Sequence, residues 1–502
     1  MLLKSKNLIY SHRLNTFYKM DIIKFVVILL EVLVLFNLLI IVHELGHFLA
    51  ARWRKMYVDR FGVWFGKPIW KKKINGVVYS LGCIPAGGFV SIPQMAPMEA
   101  IEGKVEGDLT NLPPAKPIDK IIVALAGPLF SFLLAIVFAV IVWIIGRPVG
   151  ESETTRVVGY VLKNGPADKA GILPGDEIIA VDGNPVSRWS GIGDTVQWQI
   201  VSSKGETIRL TINRNGIITN LEAKPYIEET KIYERKGLRE LQMLPKETPV
   251  VAKLFENSPA QLAGIKPNDI ILEANGIPLL SPAMLSDIII ANSNKPVVLK
   301  IKRGNEVLVK EVKPVIPEVI APDAKTAKAI KDEIRPMLGI IWEQGGLMKT
   351  DNPDPLKQIH TSISAMVNTI KAVASPKSDI KFQHLSGPVG IIRIYYRLFE
   401  SEQGWRLAIW FSVILNVNLA LLNLIPIPVL DGGHILMSLI EMIRRKPFNV
   451  KILEKIQTAF AALIIGYMIY ITIFDTSELA GRRNAKIQFK PNTEQVQTQD
   501  KK

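Results

Sequence analysis

The segment His43-Glu44-Leu45-Gly46-His47 sets two imidazoles four residues apart, with a carboxylate beside the first. On a helix, residues i and i+4 share a face, so both rings can reach one metal ion. The glutamate can then serve as general base toward a water whose pKa zinc lowers to about 7. With six histidines in 502 residues, such a match arises by chance roughly 0.004 times per chain. The group also closes an apolar run, where ionisable side chains are costly and usually functional.

A hydrolytic zinc needs a third protein ligand and one open position. Cys83 is the single cysteine, which excludes a cysteine-built site and an intrachain disulfide framework. The candidate is Asp431, in Asn423-Leu-Ile-Pro-Ile-Pro-Val-Leu-Asp431-Gly-Gly-His434. It ends a later apolar run, at the depth and on the membrane side expected for His43 and His47. Two alternatives stay open: Asp431 could only cap the helix that follows, or His434 could be the ligand. Pro426 and Pro428 break the third apolar helix and free carbonyls beside the Asn423 amide. Irregular backbone at membrane depth is tolerated where it is buried in protein or lines a cavity. Asn423, Pro426 and Pro428 are therefore the candidate contacts to an extended peptide, with a simple packing kink as the alternative.

These groups need a scaffold in the bilayer. Apolar residues make up 48% of the chain and charged residues 21%, and the apolar ones are gathered into runs long enough to span. That excludes a disordered chain, a fibrous protein and an ordinary cytosolic enzyme. The runs are Ile22–Ala51, Ile121–Ile145, Leu407–Leu430 and Ile456–Phe474. The first is too long for the core of a cleaved signal peptide. Net charge is 61 − 46 = +15, but the basic residues lie scattered at run ends and in a tail. That pattern reads as anionic lipid and topology, not nucleic acid. Arg52, Arg54, Lys55, Arg60, Lys67 and Lys71–Lys73 follow the first run, and Arg444, Arg445, Lys446, Lys451 and Lys455 precede the last. Both loops are assigned to the cytoplasm, which puts the long Arg147–Arg406 segment outside.

That outer segment repeats itself. Lys163–Val186 and Glu256–Leu279 share 11 of 24 positions, including Ala-Gly-Ile and Pro-x-Asp. Each copy is followed by a helical stretch and a strand ending in Arg-x-Gly or Lys-Arg-Gly. Two duplicated small domains fit this better than a solenoid. Phe61–Ile92 is glycine-rich and apolar, with Asn75-Gly76 as a hairpin signal. It reads as a β-ribbon dipping toward the site, able to pair with an unwound substrate, or as a plain cytoplasmic hairpin. Asp351–Lys377 predicts an amphipathic helix with Ile359, Ile363, Met366, Val367 and Ile370 on one face, either at the outer interface or simply packed. Asn37 lies on nearly the same helix face as Glu44 and would bond to substrate or, more readily, to a neighbouring helix. Gly127-Pro128 would let helices approach closely.

Taken together, HExxH in a first span, NxxPxPxLDGG in a later one and paired PDZ-like repeats between them resemble the site-2 proteases, in the branch with two tandem PDZ domains. The resemblance covers about residues 20–475. It implies that His43, His47 and Asp431 are zinc ligands, Glu44 the catalytic base, and Asn423 part of a substrate-contacting segment. It implies that Phe61–Ile92 is a membrane-reentrant β-element and that Leu385–Gly390 is a family segment before the third span. Trp64-Phe65-Gly66 departs from the Gly-Phe-Gly common in relatives.

The resulting expectation is an α-helical polytopic membrane protein with four transmembrane helices, a membrane-associated β-hairpin and two α+β PDZ-like domains outside the membrane. Its expected segments are an extension over 1–19, a span with HExxH over 20–56, the ribbon over 57–93 and a loop over 94–120. A second span over 121–146 leads to PDZ-like domains at 151–245 and 246–345 and an amphipathic linker at 351–405. A third span at 406–430, a loop at 431–455, a fourth span at 456–475 and a disordered tail at 476–502 complete the chain. The resemblance further implies a Zn2+ enzyme of the bacterial inner membrane. It would cut single-pass transmembrane proteins within the lipid bilayer, such as an anti-sigma factor or signal-peptide remnants, in an envelope stress response. A prenyl-processing type of metalloprotease and a non-proteolytic PDZ scaffold are the competing classes. The former would take its third ligand from a Glu or His on another helix; the latter would not need an intact HExxH.

Met20 opens "MDIIKFVVILL", which reads as a natural start, while Lys4, Lys6, Arg13 and Lys19 before it would sit on the wrong side for the charge rule. Residues 1–19 are thus expected to be a misassigned start or a loose extension. Amino-terminal sequencing of the mature protein should find Met20; finding Met1 would overturn the misassigned start.

Overall fold

A computed structural model describes residues 22–95, 113–230, 234–292, 295–320, 334–401, 403–446, 448, 450–480 and 486–489. Residues 1–19, much of the 94–120 loop and most of the tail lie outside these.

Helix α1 (Ile22–Trp53) is about 48 Å long at 1.5 Å per residue, ample for a hydrocarbon core of about 30 Å. It buries Ile28, Val32 and Leu39 and leaves Val26, Leu30, Val34 and Leu38 exposed, the pattern of a helix packed on one side and lipid-facing on the other. The chain then forms a ribbon of β1 (Arg60–Ile74) and β2 (Val77–Ser91). Asn75 and Gly76 close it with φ of +50° and +85°, the left-handed pair that matches strand twist in a two-residue hairpin. The ribbon curls. Trp70–Ile74 pairs with Val77–Leu81, while Arg60–Val63 pairs with Gly88–Ser91 and also lies beside Val78–Leu81. Gly88–Ser91 is therefore paired on one side only among the described residues.

Helix α2 (Pro117–Ile145) begins one turn earlier than the apolar run implied, with proline in its first turn, where a missing N–H costs nothing. Two strands zip the outer segment shut at its base: Arg147–Gly150 pairs antiparallel with Met348–Asp351. Between them stand two α+β units of PDZ-like form. The first is built on the sheet of Asn184–Pro185, Glu177–Val181, Ile208–Arg214 and Ile217–Ala223. Its core holds Ile178, Leu210 and Ile212. The second repeats this order with Ile277–Pro278, Ile270–Ala274, Val297–Arg303 and Glu306–Val312 around Ile271, Leu299 and Ile301.

The repeated Pro-x-Asp and the basic residue at the strand end prove to be partners. Asp176 is buried and accepts two 2.7 Å hydrogen bonds from Nε and Nη2 of Arg214, whose Nη2 also reaches the Gly171 carbonyl. Asp269, Arg303 and Gly264 do the same in the second unit. A buried carboxylate needs such a bidentate partner, and so both copies keep the motif. The units also touch each other, with the Tyr160 hydroxyl donating to Asp287 at 2.9 Å.

Asp354 caps α3 (Pro355–Ala374), accepting from the Lys357 amide. This helix lies on α2 and on the later helix Gly404–Asn423, with Ile359 buried while Val367 and Ile370 are exposed, so its amphipathic face is only half used. Helix α4 (Pro388–Phe399) follows, then α5 (Gly404–Asn423), α6 (Asp431–Arg444) and α7 (Val450–Ala480). Among the described residues four helical stretches are long and apolar enough to cross a membrane: Ile23–Trp53, Pro117–Ile145, Gly404–Asn423 and Ile452–Thr476. The Leu385–Gly390 segment packs on the end of α7. Buried Asp475 accepts from the Gly390 amide (2.9 Å) and from Arg235 (2.6 Å), and a Cβ at Gly387 or Gly390 would crowd its carboxylate at 3.0–3.2 Å.

Two expectations are corrected. The third span does not run to Leu430, because α5 ends at Asn423 ahead of Pro426 and Pro428. The segment 476–502 is not wholly disordered. Helix α7 continues to Ala480, and Lys486–Gln488 forms a strand antiparallel to Glu318–Ile320. Ile487 and Phe489 are buried there beside Phe255, Val319, Ile334 and Met337. A polar, Lys- and Gln-rich composition hid two apolar anchors.

Two outcomes follow. Burial of Asp269 works against its charge, yet the Arg303 guanidinium and the Lys266 amide hold its carboxyl below the usual range. A depressed folded pKa adds stability above the unfolded value and loses it as pH falls through the folded one. Exchange protection of Ile270–Ala274, corrected for intrinsic rate, should therefore fall below about pH 4 in wild type. In Asp269→Asn it should be weaker at pH 7 and nearly flat over that range. Phe489→Ala removes the tail anchor, at a cost of up to about 3 kcal/mol, and should expose the amides of Glu318–Ile320 to rapid exchange.

Candidate functional site

Helix α1 carries His43, Glu44 and His47 into the bundle, and the residue between them makes the approach possible. A Cβ at Gly46 would sit 2.3 Å from the Ala126 carbonyl, so only glycine lets α1 meet α2 here. Across the contact, a Cβ at Gly127 would sit 2.2 Å from His47 Nε2. The Gly127-Pro128 pair thus makes the floor under an imidazole. His47 Nδ1 donates to the Val123 carbonyl at 2.8 Å, and His43 Nδ1 meets the Ser131 hydroxyl at 3.0 Å. Both contacts turn the Nε2 atoms inward and fix the rings, as outer partners of metal-binding histidines do.

Asp431 arrives from the other half of the chain. The α5 helix stops at Asn423, Leu424–Leu430 turns without helical geometry, and α6 starts at Asp431. Gly432 and Gly433 press on this turn. A Cβ at either would lie within 2.3 Å of the Leu424 or Ile427 carbonyl. Asp431 is the first helical residue and the cap, Leu430, has no side-chain cap bond, so the carboxylate is not spent on capping. It faces the histidines instead.

His43 Nε2 and His47 Nε2 are 3.3 Å apart, and Asp431 stands 3.3 Å from each through its two oxygens. A tetrahedral zinc with ligands at about 2.1 Å holds them about 3.4 Å apart, so the three groups form one face of such a site. Among the described residues Asp431 Oδ2 is buried and accepts no hydrogen bond, though His43 Nε2 faces it at 3.3 Å, as two ligands of one cation would. Among the described residues these three form the only cluster of metal-ligand side chains. His434 lines the same cavity but stands outside the triad.

The cavity, about 360 Å³, is walled by α1, α2, α5, α6, α7 and the ribbon. Glu44 faces it with the Val90 backbone amide directed at its carboxylate. Asn423 lines it and points its amide at His43 Nε2, 3.4 Å away. The ribbon contributes Phe65 and Gly87–Val90. Gly88 lies against Ile40 and Glu44, where a Cβ would come within 3.3 Å of the Glu44 side chain. From the turn it is Val429 and Leu430 that reach the wall; Pro426 and Pro428 do not, and serve to shape the turn. Asn37 is used structurally: it donates to the Leu33 carbonyl and accepts from Trp64 Nε1 at 2.6 Å. Trp64 holds φ of +67°, a backbone region where glycine is the usual resident. Sequence reasoning did not find Ser131 or Val123. Ser131 had a signal, a hydroxyl inside an apolar run one turn after Gly127.

The model of peptidase family M50 matches residues 31–467, and the chain belongs to that family. It is similar to the Regulator of sigma-E protease RseP of Escherichia coli K12, 28% identical over 460 residues, covering 87% of this chain and 96% of the relative. A Neisseria meningitidis protein named as a candidate zinc metalloprotease is 27% identical over 456 residues, 89% of this chain and 98% of its own. The Regulator of sigma E protease of Haemophilus influenzae is 27% identical over 463 residues, 87% of this chain and 96% of its own. Fold and family together make this a multi-pass membrane zinc metalloprotease of the intramembrane type.

Gly127→Ala tests the floor of the site. Alanine is the better helix former by about 1 kcal/mol, so the span should still insert. The added methyl should push His47 aside, and zinc per chain, measured by elemental analysis of purified protein, should fall severalfold. Trp64→Phe removes the bond to Asn37, worth about 1 kcal/mol, and should raise exchange in Arg60–Val63 about fivefold.

Proposed function

We propose that His43, His47 and Asp431 hold a catalytic zinc and that Glu44 is the general base and acid of peptide hydrolysis inside the membrane. The observation that carries this is the 3.3 Å triangle with Glu44 beside it, opening into a cavity bordered by a strand with a free edge. The substrate is a single-pass transmembrane protein whose outer domain has already been removed. The name of the E. coli and H. influenzae relatives, regulator of sigma-E, supports an anti-sigma factor as one substrate, with signal-peptide remnants as another. The bacterial relatives support an inner-membrane location, and the charge distribution supports the PDZ-like units outside and the site toward the cytoplasm. The two PDZ-like units then stand where they can exclude an untrimmed substrate.

A peptide bond in a helix is shielded by its own hydrogen bonds, so the substrate must first unwind. Its backbone then pairs with the free edge at Gly88–Ser91 by strand addition, and the Asn423 amide donates to it near the scissile bond. Zinc, when bound by the triad, supplies Lewis acidity at the scissile carbonyl and lets water ionise near neutral pH. Glu44 takes a proton from the attacking water and delivers it to the leaving amide nitrogen, which is then released as an amine. Val123 and Ser131 keep the two imidazoles turned inward through the cycle.

The test is cleavage of a tagged single-span reporter lacking its outer domain, by purified protein in detergent. Wild type should cut it. Glu44→Gln should lose at least about a hundredfold in rate with zinc retained, and Asp431→Ala should lose zinc and activity together. Cutting by Glu44→Gln at the wild-type rate, or full zinc occupancy in Asp431→Ala, would overturn the respective assignments.

A further inference from the structure

Helix α7 buries the smallest share of the four spans, and Leu463, Ile465, Ile469 and Ile473 point outward. In its first half the most buried residue is polar: Gln457 is 1% exposed. Its Oε1 has no hydrogen-bond partner among the described residues. It lines the same cavity as His43, Glu44, Asn423 and Asp431, and it is the one residue of α7 that does. Of the other polar groups in that wall, Glu44 has the Val90 amide and Asn423 the His43 ring, while the two imidazoles and Asp431 face one another around the metal position.

An unpaired amide buried at membrane depth is costly, since neither lipid nor apolar side chains can bond to it. The expense is met if the missing partner comes with the substrate. An unwound transmembrane segment brings such groups, because each residue presents an N–H and a C=O that the bilayer cannot satisfy. The strand edge at Gly88–Ser91 can take those on one side of the peptide. The side turned away from that edge needs its own donors and acceptors, and a glutamine amide offers both. We propose that Gln457 is a substrate-binding residue that hydrogen-bonds to the backbone of the unwound peptide, opposite the ribbon. This rests on the intramembrane protease reading above. It also gives the loosely packed α7 a part in that reading: through Gln457 this helix reaches the cavity that would hold the peptide.

The test uses full-length protein in detergent, with Gln457→Leu and Gln457→Asn, zinc content, and steady-state cleavage of a synthetic single-span peptide. A companion set of peptides carries one backbone amide replaced by an ester at successive positions around the cut, which deletes one N–H donor at a time. Gln457→Leu should keep wild-type zinc and lose about ten- to a hundredfold in kcat/KM, with Gln457→Asn between. One ester position should cost wild type about tenfold and cost Gln457→Leu nothing more, the non-additivity expected of two groups in contact. A Gln457→Leu enzyme as fast as wild type would overturn the proposal. So would loss of zinc in that variant, or ester effects that add in full at every position. Failure of wild type to cut, or equal cutting by Glu44→Gln, would instead strike the protease reading itself.

Discussion

The membrane half of this molecule is organised by the need to hold two imidazoles and a carboxylate, buried at membrane depth, each against a protein partner. No water shell is on hand to orient them. The Val123 carbonyl and the Ser131 hydroxyl turn the rings, and Gly46 and Gly127 bring α1 and α2 close enough for that to happen. The third member comes from a helix start instead of a helix interior, because a turn relieved by Gly432 and Gly433 can deliver Asp431 head-on. A Cβ on any of these glycines would fall within 2.3 Å of a backbone carbonyl oxygen or an imidazole, so the site depends on missing side chains as much as on those present.

The ribbon shows how an apolar hairpin can be held beside such a site without covering it. Its tip turns on Asn75-Gly76, its middle is bent by register shifts, and its inner end leaves Gly88–Ser91 beside Glu44. The indole of Trp64 is tied to Asn37 of the HExxH helix. A left-handed backbone at a bulky residue is unfavourable, and this hydrogen bond helps to offset it.

Outside the membrane, stability is assembled from repeated small devices. Each PDZ-like unit has its own apolar core and its own buried Asp–Arg pair, and the Arg147–Gly150 and Met348–Asp351 strands close the excursion at its base. The end of α7 is drawn into this arrangement. Asp475 links it to Gly390 and Arg235, and Lys486–Phe489 lies along the second unit. The least-packed span is therefore held at its far end by the outer domains, while its near end faces the cavity through Gln457.

Much of this could be read from residues alone. Helical periodicity put His43 and His47 on one face, run lengths marked four spans, and an internal repeat announced two similar units. These are local properties, decided by spacing along a single element. Tertiary structure alone decided the rest. Asp431 could have been a cap until α6 was seen to begin at it with its carboxylate turned to the imidazoles. Pro426 and Pro428, candidate substrate contacts by sequence, stand outside the wall of this cavity, which Val429 and Leu430 line instead. The tail read as disorder because its composition is polar; its strand exists through Ile487 and Phe489 finding apolar partners in a distant domain. Gln457 carried no signal at all, being one amide in an apolar run. Its position matters only because four helices and a ribbon close around it, and which groups share a cavity is set by long-range packing that no local pattern encodes.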